Sequence, residues 1–144
     1  MKKSIALIIA LSVYLLYDTS TALGCRCQVP DNSFKKQVKG ARKQADIVFS
    51  GKVIETTFDK RTRPVLTTFR VEEYWKGAGG DEITLVTFPT TCSYFFDMDK
   101  SYLVYANSYE NEFLDTSICH RTQRLEGANR EIKILKRLRE AEAN

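Results

Sequence analysis

The sequence has little of what most enzyme active sites require. It contains a single histidine, His120, and neither a glycine-rich phosphate-binding loop nor a metal-binding histidine motif. Because no nucleophile and base can be paired from these residues, we do not expect an enzyme. Internal repeats and low-complexity segments are also missing from the sequence, which excludes a repeat architecture.

The chain also lacks a strong excess of charge. It carries 22 basic and 18 acidic residues, a formal net charge of +4. So small a surplus does not indicate a nucleic-acid partner. With 43% hydrophobic residues in 144, the chain is too apolar to be disordered and long enough for one domain.

The first 24 residues have the pattern of a secretory signal peptide. Lys2 and Lys3 precede an apolar run from Ile5 to Leu16, and small residues end the segment at Gly24. Cleavage there leaves residues 25–144, a single domain with 20 basic and 17 acidic residues that begins with Cys25. We therefore expect an exported protein, extracellular or periplasmic.

The hydrophobic pattern predicts a mainly β fold with flanking helices. Ser33 can cap a helix over 34–45. The basic side of this helix is expected to be solvated, with an acidic partner or membrane head groups as the alternatives. Period-two patterns then predict five strands, with a bend or bulge at Gly51 in the first. The strands are expected at 47–53, 65–71, 82–88, 101–108 and 112–118, the last two joined across 109–111. They suggest a small closed barrel, covered by an amphipathic helix over 125–142.

The four cysteines favour two disulfides, because their number is even and the chain is expected to be exported. In an extended segment Cys25 and Cys27 point to the same face, so they should not pair with each other. Two connectivities to Cys92 and Cys119 stay open. A zinc site that uses Cys25, Cys27, Cys119 and His120 is the less favoured alternative, and His120 is expected to be a surface neighbour of a disulfide.

Five short segments of the sequence are informative together: Cys25-Arg26-Cys27, Val29-Pro30, Ala45-Asp46-Ile47-Val48-Phe49-Ser50-Gly51, Thr91-Cys92-Ser93-Tyr94-Phe95 and Thr116-Ser117-Ile118-Cys119. They resemble the N-terminal domain of the tissue inhibitors of metalloproteinases. The resemblance covers about residues 25–125. It implies a netrin-like module with an OB-like five-stranded barrel and the disulfides Cys25–Cys92 and Cys27–Cys119. The chain departs from that family in lacking a further disulfide and a second cysteine-rich domain.

The resemblance also implies a function, the inhibition of a zinc metalloprotease. The free amine and carbonyl of Cys25 would chelate the zinc of the protease, the chain having no cofactor of its own, and residue 26 would enter the specificity pocket. Arg26 is unusual there, because a long cation needs an acidic or water-filled pocket. The residues expected to contact the protease are Cys25, Arg26, Cys27, Gln28, Val29, Thr90, Thr91 and Cys92.

Two other classes of function remain open. Ala22-Leu23-Gly24-Cys25 is a poor lipobox, and a lipid on Cys25 would make the chain a membrane-anchored binding or structural module without a protease target. A nucleic-acid or sugar binder would need exposed aromatic residues. Most of the candidates, Tyr74, Trp75, Tyr94, Phe95 and Tyr102, are expected to pack inside the barrel instead.

Overall fold

A computed structural model describes residues 24–28, 30–58, 64–109 and 113–143. The predicted signal peptide, apart from Gly24, and the predicted contact Val29 lie outside these residues, as does the predicted turn between the last two strands from 110 on. The elements are α1 (Phe34–Gln44), β1 (Ile47–Phe58), β2 (Val65–Lys76), β3 (Glu82–Thr87), β4 (Ser101–Tyr109), β5 (Phe113–Asp115), β6 (Gln123–Arg124), a 3-10 turn (Leu125–Gly127) and α2 (Asn129–Ala143).

Five strands form a closed barrel, which confirms the predicted fold class. Their order is β1-β2-β3-β5-β4, and β4 pairs with β1 to close the sheet. All neighbours are antiparallel except β3 and β5, which are parallel where Leu85 faces Leu114. The short β6 extends the sheet from the edge of β4 that also binds β5.

Strand β4 separates two hydrophobic clusters, because its side chains alternate between the two faces of the sheet. Tyr102 and Val104 point into the barrel, where they pack with Phe49 of β1 and Phe69 of β2. Leu103 and Tyr105 point outward and are covered by the helices. A run of five fully buried residues in β4, 102–106, follows from this double burial.

Gly51 marks a bulge in β1, as the sequence predicts. The register of β1 against β2 shifts between Ser50 and Gly51. A side chain at Gly51 would bring its Cβ to 2.7 Å from the carbonyl oxygen of Arg70. Only glycine therefore lets the two strands approach each other so closely at this position.

The two helices lie side by side on the outside of the barrel and run in the same direction. At their first turns the guanidinium carbon of Arg130 lies 4.2 Å from the centre of the Phe34 ring. At their last turns Arg42 forms a bidentate ion pair with Glu142, in which the two guanidinium nitrogens lie 2.5 and 2.6 Å from the two carboxylate oxygens. Val38 of α1 and Leu135 of α2 are both fully buried against the barrel.

Helix α1 begins at Phe34 with Ser33 at its N-cap, as predicted, but the predicted capping hydrogen bond and several other element boundaries are wrong. The Ser33 hydroxyl forms no cap hydrogen bond; the backbone carbonyl of Ser33 accepts from the Gln37 amide instead, and the Gln37 side chain donates to the Asn32 carbonyl at 2.9 Å. The helix predicted over 125–142 begins at Asn129, after the 3-10 turn. The strand predicted over 112–118 ends at Asp115, because the chain turns through Ser117–His120.

Candidate functional site

The segment that starts at Cys25 is tied to the barrel by two disulfides. Cys25 is bonded to Cys92 and Cys27 to Cys119, with Cα atoms 5.1 and 5.0 Å apart. Cys25 and Cys27 are half-buried, whereas the residues that follow each of them, Arg26 and Gln28, are exposed. The connectivity implied by the family resemblance is thus confirmed, and so is the alternation expected of an extended segment.

A hydrogen-bonded turn presents Cys92 to this segment. The Thr90 amide donates to Ser93 Oγ at 2.7 Å, and the Ser93 hydroxyl donates to the Phe88 carbonyl at 2.6 Å. The Cys92 amide donates to Thr90 Oγ1 at 3.2 Å. The Thr90 hydroxyl is therefore used inside the turn, while the side chain of Thr91 is exposed.

A third segment, from Ser117 to Cys119, completes the arrangement. The Ile118 amide donates to the Cys92 carbonyl at 2.9 Å, and Ser93 and Ser117 form an isolated β-bridge. The sulfurs of Cys25 and Cys119, which belong to different disulfides, lie 3.5 Å apart. The two disulfides therefore touch, and the three segments form one unit. We call its outer residues the N-terminal ridge: Cys25, Arg26, Cys27, Thr90, Thr91 and Cys92.

The alternative prediction of a zinc site is wrong for these cysteines. The sulfurs of Cys25, Cys27 and Cys119 lie within 4.8 Å of one another, as metal ligands would. Each of them is nevertheless part of a disulfide, and zinc requires the thiolate form of cysteine. The sulfur cluster is therefore a covalent support for the ridge.

His120 is hydrogen-bonded to the third segment instead of lying on the surface as predicted. Its ring is half-buried; Nδ1 accepts a hydrogen bond from the Ser117 amide, and Nε2 lies 3.2 Å from Asn107 Nδ2. Burial lowers the pKa of His120 below its usual 6.5, although the charge of Asp115 acts in the opposite direction. A protonated ring would also lose its hydrogen bond from Ser117, so the geometry favours the neutral form.

A shallow hollow beside the ridge exposes apolar surface. Its volume is about 290 Å³, and it lies between the Cys92 turn and the end of β4. The rings of Phe88 and Tyr109 border it with centres 6.2 Å apart, and their side chains are 43% and 48% exposed. Exposed large apolar side chains beside a rigid ridge are typical of protein contacts. Sequence reasoning missed them, because Phe88 was taken as the last residue of a strand.

A buried carboxylate on α2 was also not predicted from the sequence. Glu131 is 1% exposed and accepts hydrogen bonds from Tyr105 at 2.6 Å, from two nitrogens of Arg121 at 2.8 Å and from Gln123 at 2.7 Å. Burial, together with the charge of Glu131, raises the pKa of Tyr105 well above 10. The available signal was an acidic residue on the otherwise apolar stripe of α2.

The aromatic residues considered for stacking on a ligand are mostly packed inside the protein. Trp75 and Tyr102 are 3% and 1% exposed, and Tyr74 and Tyr94 pack against the core of the barrel. Phe95 alone of the five is exposed, at 55%. The described residues thus offer no row of exposed aromatics among these candidates.

Comparison of this chain with the protein-family models and with the curated proteins finds no match. Within the described residues, no helix is long and apolar enough to cross a membrane. The two disulfides agree with folding in an oxidising compartment.

Proposed function

We propose that the protein is an exported inhibitor of a zinc metalloprotease and that the N-terminal ridge is its inhibitory surface. The observation that carries this proposal is the double anchoring of the Cys25 segment. Two touching disulfides hold Cys25 and Cys27 against the barrel, and Arg26 projects between them into solvent. The resemblance of the ridge sequence to the tissue inhibitors of metalloproteinases supports the same function.

The proposed mechanism needs only the backbone of Cys25. A catalytic zinc keeps one coordination position open for water. After cleavage of the signal peptide, the free α-amine and the carbonyl oxygen of Cys25 would bind the zinc as a five-membered chelate, which takes the position of the water and raises the coordination number by one. The water is displaced, and hydrolysis loses its nucleophile. An α-amine titrates near ~7.7–8.0, so little work is needed at neutral pH to release its proton to solvent as the amine binds the metal.

Anchoring contributes to affinity by ordering the chelating atoms before the protease arrives. A flexible N-terminus would lose conformational freedom on binding, and this loss would weaken the complex. The disulfide to Cys92 removes most of that freedom in advance. Thr91, exposed at the tip of the adjoining turn, would add a second contact, and the apolar hollow at Phe88 and Tyr109 a third.

Arg26 restricts the class of protease that can be inhibited. The side chain is exposed in the free protein and would enter the pocket next to the zinc. Removing a guanidinium from water is costly unless an acid receives it. We therefore propose a target whose pocket contains a carboxylate or retains water.

One added residue tests the mechanism. An alanine placed between the cleavage site and Cys25 moves the α-amine away from the chelating position and leaves both disulfides in place. We expect the inhibition constant against a susceptible zinc protease to rise at least a hundredfold, because the chelate cannot form. A protein with the same alanine added after Asn144 is the matched control, and it should inhibit like the wild type.

The mass of the exported protein must be measured alongside. The mass of residues 25–144 with two disulfides supports the proposal, whereas added acyl mass on Cys25 would establish the lipid-anchored alternative. An inhibition constant that the alanine before Cys25 leaves unchanged would refute the chelation mechanism.

A further inference from the structure

Charge is unevenly distributed between the helices and the rest of the molecule. The two helices contain ten basic and three acidic residues, a net charge of +7. The remainder of residues 25–144 contains ten basic and fourteen acidic residues, a net charge of −4. The small surplus of the whole chain therefore conceals a strongly basic helical layer on an acidic barrel.

All three acidic residues of the helices have partners. Glu131 is buried against Arg121, Glu142 binds Arg42, and Glu140 also has an interaction partner. Arg139 of α2 is in turn paired with Glu73 of β2 at 2.8 Å. The acidic groups on the layer thus leave most of its positive charge uncompensated.

The exposed cations form two rows along neighbouring helices. Lys35, Lys39 and Lys43 recur every four residues on α1, and Arg130, Lys133 and Arg137 follow the spacing of three and four on α2. All six side chains are exposed. At 1.5 Å of rise per residue, the rows are each about 10–12 Å long. We call these six residues the basic strip.

Members of both rows lie at the crevice between the helices. Lys39 and Lys43 line a hollow of about 270 Å³ together with Leu138 of α2. At the other end Arg130 lies over the ring of Phe34 in α1. Because the helices are parallel and adjacent, a ligand lying along the crevice would meet cations on both sides.

We propose that the basic strip binds a linear sulfated polysaccharide. Sulfate groups stay ionised at all physiological pH values, and ammonium and guanidinium groups are their natural partners. An extended chain with charges along both edges matches two parallel rows of cations. A membrane surface matches less well, because neither helix exposes a large apolar side chain for insertion. Two disulfides point to an oxidising compartment, where nucleic acid is not the expected polyanion.

This proposal is independent of protease inhibition, since the basic strip contains no residue of the N-terminal ridge. The test compares two triple variants of the exported protein that lose the same net charge. In the strip variant Lys39, Lys133 and Arg137 are replaced by Gln. In the control variant Lys52, Arg70 and Lys100, all exposed and outside the helices, are replaced by Gln. The dissociation constant for heparin is measured by titration calorimetry from 100 to 300 mM NaCl.

We expect the strip variant to bind heparin at least tenfold more weakly at 150 mM NaCl. The slope of the logarithm of affinity against the logarithm of salt concentration should fall by about three, since roughly one counterion is released per contact. The control variant should stay within twofold of the wild type, and both variants should keep the wild-type melting temperature and inhibition constant.

Equal losses in the two variants would overturn the proposal, because they would show a response to net charge alone. It would also be overturned if the wild-type protein failed to bind heparin at 150 mM NaCl. Tighter binding to phosphatidylserine-containing vesicles or to a duplex DNA at the same salt concentration would likewise assign the strip to a different partner.

Discussion

The carboxylate of Glu131 connects helix α2 to the outer face of the barrel. It lies in the first turn of α2, where the helix dipole favours a negative charge. Its oxygens accept hydrogen bonds from Tyr105 of β4, from Arg121 and from Gln123 of β6. Arg121 lies two residues after the segment Ser117–Cys119. The hydrogen bond and charge of Glu131 raise the pKa of Arg121 above its ordinary value. A buried carboxylate with this many donors orients every element that it touches.

Replacing Glu131 by Gln should destabilise the protein strongly. The side chain keeps its size, but Arg121 loses its counter-ion and two donors face an amide nitrogen. We expect the free energy of unfolding to fall by about 3 kcal/mol, near the lower end of the losses seen when one partner of a buried pair is removed. The matched control is Glu142→Gln, which removes an exposed carboxylate from Arg42. Urea titration should show a much smaller loss there; equal losses in both variants would contradict the role of burial.

The sequence predicted the burial or pairing of some residues and not of others, for physical reasons. Alternation in an extended segment correctly excluded a disulfide between Cys25 and Cys27, but only tertiary contacts decide which partner each of them takes. The predicted apolar stripe was correct at Leu135 of α2 and at Ala128, the residue just before α2. Glu131 occupies the same stripe, and its burial depends on Arg121, whose position no local pattern predicts.

At the scale of secondary structure elements, the period of the hydrophobic residues predicted the type of an element well and its length poorly. The period-two pattern of β1 and β2 identified both strands, yet each extends beyond the predicted end, to Phe58 and Lys76. Conversely, β5 is only three residues long, because the hydroxyl of Thr116 donates to the Tyr105 carbonyl at 2.7 Å and the chain then turns at Ser117. A hydrophobic pattern does not indicate where a side-chain hydrogen bond will compete with the backbone hydrogen bonds of a β-ladder.

Two glycine substitutions test how far the elements depend on local geometry. In Gly51→Ala the new methyl group would meet the Arg70 carbonyl at 2.7 Å, so β1 or β2 must shift. We expect a loss of about 1–3 kcal/mol in the free energy of unfolding. In Gly40→Ala, within α1, the new methyl group would have no atom within 4 Å apart from the neighbouring residues and the backbone of the helix itself. Here helix propensity should raise stability by about 0.5–1 kcal/mol. Thermal and urea unfolding of both variants give the signs; a loss for Gly40→Ala or no change for Gly51→Ala would contradict them.

At the scale of the whole molecule, the two disulfides act as one closure. Either disulfide alone closes a long loop, with sequence separations of 67 and 92. Once the first has formed, however, the second closes a smaller ring of about 30 residues, made of 25–27 and 92–119. The chain-entropy model assigns about 3–4 kcal/mol to closing a loop of this size. Because the ring is the same whichever disulfide forms last, the model gives both disulfides the same marginal stabilisation.

The proposed inhibitory function should break this symmetry. Replacing Cys25 and Cys92 by Ser releases Cys25, the first residue after the proposed cleavage site, whereas replacing Cys27 and Cys119 by Ser leaves Cys25 bonded to the turn at Thr91. Guanidinium unfolding should show losses of about 3–4 kcal/mol that agree within about 1 kcal/mol for the two variants. Inhibition of the target protease should nevertheless fall at least tenfold further in the first variant, because its chelating atoms must be ordered on binding. Both variants keep a free α-amine, so equal inhibition by two equally stable variants would show that ordering of the first residue contributes nothing to affinity.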